Sequence, residues 1–329
     1  MRPFLLSLAA LAAAMTMAAC GGEEAPAPTG ADGQPLTRVR VQLNWFPEAE
    51  HGGFYTALIN GHYEAEGLDV QILPGGVDVP VIAQVVTGRV EFGVVNADNV
   101  LQNRAQGANT VALMAPLQHS PRCLVVHADS RFEKIADIRD VTLAMSSGPP
   151  FSHFVKANAP LTNVRQVPYP GSVAPFLADP NFAMQGYVFS EPIVIRAQGA
   201  DPRVLMVSEM GWDPYTSCLV ASDEYVAANE EIVAAMTRAS RRGWVEYLRD
   251  PEPTNRAINA ANPQMTMEIL TEGMGPLREL VYDDATTEEN LGRMEAARWE
   301  LLLEQMVGIE FIDAGAVEAS QAFTTKFLE

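Results

Sequence analysis

The sequence predicts an α/β protein of two lobes, joined by a double-strand hinge and completed by a helical C-terminal region. Three observations support this architecture. From residue 38 to residue 222, short strand patterns alternate with short helical patterns, which is typical of mostly parallel sheets covered on both faces. Two segments, at residues 123 and 218, both begin Cys-Leu-Val. Beyond residue 222 the pattern becomes almost wholly helical.

The first lobe is predicted from repeated β–α units. Its strand patterns are rich in Val, Leu and Ile, and Gly, Asp or Pro punctuate the segments between them. We predict strands over residues 38–43, 68–73, 90–95 and 110–115. Helices are predicted between them, over residues 52–63, 79–88 and 97–107.

The second lobe repeats this organisation. Predicted strands cover residues 123–128, 141–146, 164–169, 183–189 and 203–208, and predicted helices cover residues 150–159, 172–179 and 191–200. A last strand over residues 217–222 precedes the helical region, whose longest predicted helices cover residues 229–248 and 288–308. Asp-Pro-Glu-Pro at residues 250–253 interrupts this region, because proline removes a backbone donor.

The two Cys-Leu-Val segments predict the crossings between the lobes; an accidental match of three residues is the alternative. Residues 37–118 and 222–329 would then form lobe 1, and residues 119–221 would form lobe 2. A cleft between two domains is a preferred ligand site. If the crossing strands are antiparallel neighbours, Cys123 and Cys218 could form a disulfide; we favour two buried free thiols, because a bridge would restrict closure of the lobes.

The N-terminus has the pattern of a secretory leader. Residues 1–19 contain one Arg, an apolar run and small residues, and the small-small-Cys ending resembles the bacterial lipoprotein cleavage site. Cys20 is therefore the predicted lipidated residue, with an ordinary leader and a chance cysteine as the alternative. Residues 20–36 are rich in Gly, Pro, Ala and acid and predict a flexible tether. The protein is expected outside the cytoplasm, in the periplasm or at the cell surface, anchored by lipid alone.

Composition excludes several function classes. Formal net charge is −19, which argues against nucleic acid and against a basic lipid-binding patch. The three cysteines form no Cys-x-x-Cys motif and no cluster with His, so we predict neither a metal site nor a cofactor. No Ser-His-Asp spacing or nucleophile elbow occurs, so no catalytic residue is predicted.

Polar and aromatic side chains follow the first predicted strand, at the edge of the sheet where ligands bind in α/β proteins. Trp45 offers a face for stacking a flat ring, with a core position as the alternative. The Asn44 amide offers both a donor and an acceptor, as a pyrimidine edge does. His51 either binds ligand or caps the next helix; Gly52 and Gly53 beside it permit close backbone approach.

Further candidates follow later strands. Asn96 ends a strand, and Asp98 beside it is expected to cap a helix. Ser146 and Ser147 occupy a strand–helix loop that could present hydroxyls to a ligand or merely cap the helix. The remaining predicted ligand-binding residues are Tyr187, Glu191 and Trp212, with Tyr215 as a further aromatic wall.

Three segments carry a family resemblance. They are "LNWFPEAEHGGFYTALINGHYEAEGLDVQILPGG", "VVTGRVEFGVVNADNVLQNRAQG" and "MQGYVFSEPIVIRAQGA". Together they resemble substrate-binding proteins of ABC importers of the thiamine-pyrimidine and alkanesulfonate type. The resemblance implies the two-lobed periplasmic-binding-protein fold, a monomer, a small-molecule ligand, and permease subunits as partners. It also implies that Tyr187 stacks on an aminopyrimidine and that Glu191 accepts its hydrogen bonds, although Glu191 could instead cap a helix.

The resemblance ranks the ligands. A thiamine pyrimidine precursor comes first. Riboflavin follows, because "PEAEHGGFY" departs from the Pro-Asn-x-x-His form of pyrimidine binders. Sulfonate or nitrate comes third, because the predicted pocket lacks an obvious arginine and only Arg122 and Arg196 lie near it. Pyrimidine-synthesising enzymes of the same fold depend on a cysteine-rich motif that this chain lacks.

Overall fold

The computed structural model describes residues 28–30, 33–77 and 79–328. The predicted leader, the lipidated Cys20 and most of the tether lie outside the described residues. Each of the ten predicted strands is found, most of them shortened by a residue or more at their ends. The strands are β1 Thr37–Gln42, β2 Leu68–Leu73, β3 Phe92–Val95, β4 Thr110–Met114, β5 Arg122–His127, β6 Thr142–Ala144, β7 Arg165–Val167, β8 Phe182–Tyr187, β9 Pro202–Met206 and β10 Cys218–Ser222.

The strands form two five-stranded sheets with the same topology. Sheet 1 has the order β2-β1-β3-β10-β4 and sheet 2 the order β7-β6-β8-β5-β9. Within sheet 1, β1 is parallel to β2 and β3, whereas β10 is antiparallel to both of its neighbours. Within sheet 2, β5 holds the equivalent reversed position between β8 and β9. The two reversed strands are those that contain the Cys-Leu-Val segments.

Helices cover the sheets and build the C-terminal region. They are α1 Gly52–Ile59, α2 His62–Ala65, α3 Val81–Val86, α4 Ala97–Ala105, α5 Pro150–Asn158, α6 Ala174–Ala178, α7 Glu191–Ala197, α8 Asp223–Ala228, α9 Glu230–Arg249, α10 Glu252–Ala261, α11 Met267–Val281 and α12 Ala296–Gly308. Two helix predictions were wrong in extent. The helix predicted over residues 52–63 is split at Gly61, which has a positive φ of 72°. The helix predicted from residue 288 begins only at Ala296.

Two chain segments, residues 115–121 and 207–217, connect the sheets. They meet in one antiparallel bridge, in which the Thr216 N–H donates to the Leu117 carbonyl at 3.2 Å. The crossings therefore precede the Cys-Leu-Val strands rather than contain them. Residues 218–221, assigned to lobe 2 from the sequence, belong to sheet 1 because β10 pairs with β3 and β4.

The cysteine pair is separated by this arrangement. Cys123 lies on β5 in sheet 2 and Cys218 lies on β10 in sheet 1, and both are buried free thiols. The condition for a disulfide, two neighbouring crossing strands, is not met. Of the two alternatives, the structure has the free thiols.

Gly52 and Gly53 serve helix packing rather than ligand approach. A Cβ on Gly52 would lie 2.0 Å from the Tyr247 ring, and one on Gly53 would lie 2.0 Å from the Trp244 ring. Both aromatic residues belong to α9, which is seated directly on α1. This contact fixes the helix that follows the first aromatic loop.

Across the described ranges, no helix combines the length and the apolar character needed to cross a membrane. The same residues contain no group of three or more His, Cys, Asp or Glu placed to hold a metal ion.

Candidate ligand cleft

A cavity of about 420 Å³ lies between the two sheets. Its walls come from the carboxyl ends of β1 and β3 in sheet 1 and from the start of β5, the end of β8 and the loops after β6 and β7 in sheet 2. Six of the nine predicted ligand-binding residues line it: Asn44, Trp45, Asn96, Ser146, Tyr187 and Glu191. His51, Ser147 and Trp212 do not line it.

An aromatic pair spans the cleft. Trp45 follows β1, and Tyr169 follows β7; their ring centroids are 6.3 Å apart and their planes are inclined by 31°. Gly171 lies beneath the indole, where an added Cβ would be 3.9 Å from Trp45 Cη2. Trp45 is therefore a half-buried wall between the lobes and not a core residue, whereas Tyr169 was missed in the sequence because nothing marks a Tyr after a short edge strand.

Glu191 holds the second ring of this pair in place. The Tyr169 hydroxyl donates to Glu191 Oε1 at 2.6 Å, and the Tyr187 backbone N–H donates to Glu191 Oε2 at 2.7 Å. Both carboxylate oxygens thus already accept a hydrogen bond from the protein. Glu191 is the first residue of α7, whose N-cap is Ser190, and it lies at the cavity wall; its role in ligand binding stays a prediction.

His51 lies behind the cavity wall and orients Asn44. The Glu48 backbone N–H donates to His51 Nδ1 at 3.3 Å, so Nδ1 is an acceptor and Nε2 carries the proton of the neutral ring. Nε2 then donates to Asn44 Oδ1 at 2.8 Å. Burial lowers the pKa of His51 to about 3, which keeps the ring neutral. His51 is therefore a positioning residue, and the prediction that it lines the pocket was wrong.

Two buried carboxyl groups in the same loop were missed. Glu48 and Glu50 are only 4% and 0% exposed, yet both line the cavity. The Ser190 hydroxyl donates to Glu48 at 3.0 Å, and the Ser217 hydroxyl donates to Glu50 Oε2 at 3.1 Å. Acidic residues in a loop ordinarily face solvent, so the sequence offered no signal beyond their position directly after the strand-end Trp.

Burial is the main cause of the raised pKa values of Glu48 and Glu50. Burial raises the pKa of Glu48 well above its usual range, and the nearby Glu50 charge adds to the effect. Burial also raises the pKa of Glu50 to about 7, opposed by the Ser217 hydrogen bond and the Arg122 charge. The Oε1 atom of Glu50 makes no hydrogen bond of good geometry with any residue that the structure describes, although His51 Nε2 lies 3.3 Å from it. A buried acceptor with so weak a partner beside a cavity is suited to an N–H or O–H group of a ligand.

The expectation of a pocket without arginine was wrong. Arg122 opens β5, lines the cavity, and lies between two rings: its guanidinium carbon is 4.4 Å from the centroid of Phe151 and 4.3 Å from that of Tyr187. Its Nη2 donates to the Tyr187 hydroxyl at 3.2 Å. Arg196 instead pairs with Glu272 in an exposed salt bridge away from the cavity.

Hydrogen bonds join the two lobes across the cleft. The Asn96 Nδ2 amide, after β3, donates to the Tyr187 hydroxyl, at the end of β8, at 3.0 Å. The Ser190–Glu48 hydrogen bond also runs from one lobe to the other. Tyr187 is thus held by Asn96 and by the Arg122 guanidinium and presents only part of its ring to the cavity.

Asp98 is a buried acid rather than a simple cap. Its Oδ1 accepts the Asn99 N–H at 2.9 Å, and burial raises its pKa to about 6. It lines a recess of about 80 Å³ that adjoins the cleft and shares Asn96, Asn99 and Arg122 with it.

The remaining candidates have structural roles. The Ser146 N–H donates to Gln185 Oε1 at 2.8 Å, and the exposed Ser147 offers its carbonyl to His153. Trp212 is buried against Phe154 and reaches only the small recess, so its prediction as a cleft residue was wrong. Tyr215, the further aromatic wall, is a core residue whose hydroxyl accepts the Glu295 N–H at 3.0 Å.

Sequence comparison identifies the family. The model described as NMT1/THI5 like matches residues 48–254, which include both sides of the cleft and more than half of the chain. The chain belongs to the NMT1/THI5-like family. The predicted kinship with substrate-binding proteins of ABC importers of this type is thereby confirmed.

Individual relatives agree with this assignment. The chain is 25% identical over 340 residues to the riboflavin-binding protein RibY of Chloroflexus aurantiacus, covering 98% of this chain and 95% of that one. It is 21% identical over 309 residues to the formylaminopyrimidine-binding protein of Halalkalibacterium halodurans, covering 90% and 92%. Among solved structures, the periplasmic aliphatic sulphonate binding protein SsuA of Escherichia coli shares the fold, with a TM-score of 0.66, 11% identity, and coverage of 86% and 91%. The predicted periplasmic-binding-protein fold is confirmed.

Proposed function

We propose that this NMT1/THI5-like protein is the extracytoplasmic solute-binding component of an ABC importer, and that its ligand is a flat nitrogen heterocycle of the size of riboflavin. The observation that carries the proposal is the cleft itself, in which an aromatic pair from the two lobes stands beside an excess of carboxyl groups. Closure of the lobes about the two connecting segments would bury the ligand.

The aromatic pair accounts for a flat ligand. Trp45 and Tyr169 approach each other from the two lobes with their planes inclined by 31°, and a planar ring would stack between them once lobe opening separates the two rings. Flat heterocycles stack on such faces irrespective of their exact substituents. The two rings therefore favour any flat ligand, and the polar residues of the cavity must determine which hydrogen-bonding groups that ligand carries.

The polar wall favours ligands that donate hydrogen bonds. Three carboxyl groups, those of Glu48, Glu50 and Glu191, line the cavity with one arginine, Arg122. Ring N–H, amino and hydroxyl groups are partners for carboxylate oxygens. A sulfonate or nitrate offers acceptors alone, and Arg122 is the one positively charged donor among the described residues that line the cavity, so these anions remain the least favoured ligands.

Size separates the two favoured ligands. A cavity of about 420 Å³ falls in the range that encloses drug-sized molecules. A tricyclic flavin with its side chain is of that size, whereas a single pyrimidine ring fills only part of the space. Riboflavin is therefore the first candidate here, in keeping with the relative RibY. A thiamine pyrimidine precursor is the second, in keeping with the formylaminopyrimidine-binding relative and the carboxyl groups.

We propose a binding role for the cleft, in keeping with the riboflavin-binding and formylaminopyrimidine-binding relatives. Among the described residues that line it, no serine or cysteine is hydrogen-bonded to a histidine as an activated nucleophile would be. We propose from the predicted leader and the predicted lipidation of Cys20 that the protein lies outside the cytoplasm at the membrane, where a monomer would deliver its ligand to permease subunits.

Isothermal titration calorimetry of the purified protein tests the proposal. We expect saturable binding of riboflavin, weaker binding of 4-amino-5-hydroxymethyl-2-methylpyrimidine, and none of ethanesulfonate or nitrate. Tight binding of the pyrimidine alone would replace the first candidate by the second. Tight binding of ethanesulfonate alone would overturn the proposed ligand class, since the carboxyl-rich wall would then not decide selectivity.

A further inference from the structure

The geometry points to a second compartment of the cleft, in which Asn99 and Asn103 bind the hydroxyl groups of a flexible chain attached to the ring. This inference rests on the proposed function and specifies its ligand as a heterocycle that carries a polyhydroxylated chain. Both asparagines belong to α4 and both line the cavity.

The compartment lies on the hinge side of the aromatic pair. Trp45 follows β1, whereas α4 follows β3, the neighbour of β1 on the side of the reversed strand β10. In sheet 2, Tyr169 follows the edge strand β7, and Arg122 opens the reversed strand β5. The cleft therefore runs from the Trp45–Tyr169 pair to a second region near the connecting segments, where Arg122 lies between Phe151 and Tyr187 and the α4 asparagines line the cavity.

The two asparagine amides offer complementary groups. Asn99 Oδ1 accepts the Asn96 N–H at 3.4 Å, and Asn103 Nδ2 donates to the Asn99 carbonyl at 2.8 Å. Within the described part of the chain, this leaves Asn99 Nδ2 as a donor and Asn103 Oδ1 as an acceptor without a hydrogen-bond partner. Residues four apart on a helix face the same side, about 5–6 Å apart at their Cβ atoms.

A hydroxylated chain matches this pattern. Each hydroxyl group can both donate and accept a hydrogen bond. One hydroxyl of the chain can therefore accept from Asn99 Nδ2, and the next can donate to Asn103 Oδ1. The polar groups of a planar ring lie in one plane, so they could not bond to Asn99 and to Asn103 on successive turns of α4. The spacing along α4 thus favours a chain over a second ring.

The other lobe contributes a further buried polar group to the same cavity. Gln185 on β8 is 6% exposed and lines the cavity, and its Oε1 is occupied by the Ser146 N–H at 2.8 Å. In the described structure its Nε2 makes no hydrogen bond, and it is not one of the buried polar atoms without a partner, so it is accessible in the cleft. An accessible amide donor on the cavity wall can bind a ligand hydroxyl.

The test compares riboflavin with lumiflavin, which has the same ring system and a methyl group in place of the ribityl chain. Titration calorimetry would be done with the wild-type protein, Asn99→Asp and Asn103→Ala. The Asn99→Asp change keeps the oxygen that accepts the Asn96 N–H and removes the donor. Asn158→Ala is the matched control, because the Asn158 amide makes the same bond to a carbonyl four residues earlier, in α5.

We expect the wild type to bind riboflavin about tenfold or more tightly than lumiflavin. Each cleft variant should lose about 3- to 10-fold in riboflavin affinity while its lumiflavin affinity changes by less than about twofold, and Asn158→Ala should change neither. Equal wild-type affinities for the two flavins, or equal losses for both in the variants, would overturn the chain subsite and leave the flavin proposal standing. Binding of neither flavin would overturn the proposed ligand and the subsite with it.

Discussion

Trp45 and Tyr169 face each other from opposite lobes, with 6.3 Å between their ring centroids. If a planar ligand stacks here, Trp45→Ala should weaken riboflavin binding about tenfold or more, because aromatic stacking on a base contributes about 1–3 kcal/mol. Trp45→Phe retains a smaller face and should give an intermediate affinity. Titration calorimetry measures both.

The control for this pair is Leu301→Ala, since Leu301 on α12 is an exposed apolar residue, 53% accessible, and is not among the residues that line the cavity. Its affinity should stay within about threefold of the wild type. Equal affinities of wild type and Trp45→Ala, with both proteins folded by circular dichroism, would place the ligand elsewhere.

Glu50 should make the ligand-free protein less stable as pH rises. Its pKa is raised from 4.5 to about 7 by burial, so the folded state holds the proton more tightly than the unfolded chain. The resulting stability is fully present below pH 4.5 and is lost as pH rises through 7. A shift of this size corresponds to about 3 kcal/mol.

Glu50→Gln removes the titrating group and keeps its shape. Urea unfolding from pH 4 to pH 8 should show the variant gaining about 3 kcal/mol relative to the wild type across this range. Asp98 titrates in both proteins and largely cancels in the difference, whereas loss of the Glu50 charge also lowers the pKa of Glu48 and so adds to the gain of the variant at high pH. A difference between the two proteins that does not vary with pH would show that Glu50 is not held protonated by the fold.

Gly53 should be irreplaceable by alanine. The added methyl group would lie 2.0 Å from the Trp244 ring, so α1 and α9 would have to separate. We expect Gly53→Ala to lower the free energy of unfolding by about 1–3 kcal/mol, the usual cost of overpacking. The exposed Gly308, at the end of α12, has open space around its Cβ position. Gly308→Ala should be neutral or stabilising by up to about 1 kcal/mol, and a similar loss in both variants would contradict the packing argument.

Cys123 and Cys218 should react slowly in the native protein. Burial raises the pKa of both thiols above the ordinary thiol range, so little thiolate is present at neutral pH. In a Cys20→Ser variant that is unfolded without reductant, titration with a thiol reagent should count two thiols. In the native variant, the same reagent should react with fewer than one thiol within minutes. A count of zero after unfolding would reveal a disulfide.

Local patterns predicted the strands well because their signals are local. The alternation of apolar strands with turn residues placed all ten strands, and the rule that ligands bind at strand ends picked out Asn44, Trp45 and Asn96 at the cleft. The same rule could not predict that His51, seven residues after Asn44, lies behind the cavity wall. Its orientation depends on Glu48 and Asn44, whose positions come from the fold of the whole loop.

The sequence by itself determined the α/β class, the succession of strands along the chain and the helical C-terminal region, because periodicity and composition are properties of neighbouring residues; the secretory leader stays a prediction. Tertiary structure alone decided which side chains meet. It placed Arg122 between Phe151 and Tyr187, sent β5 and β10 into different sheets, and buried Glu48 and Glu50 beside the cavity. These outcomes depend on contacts between residues far apart in the chain, and burial, which sets the charge of a carboxyl group, exists only once those contacts have formed.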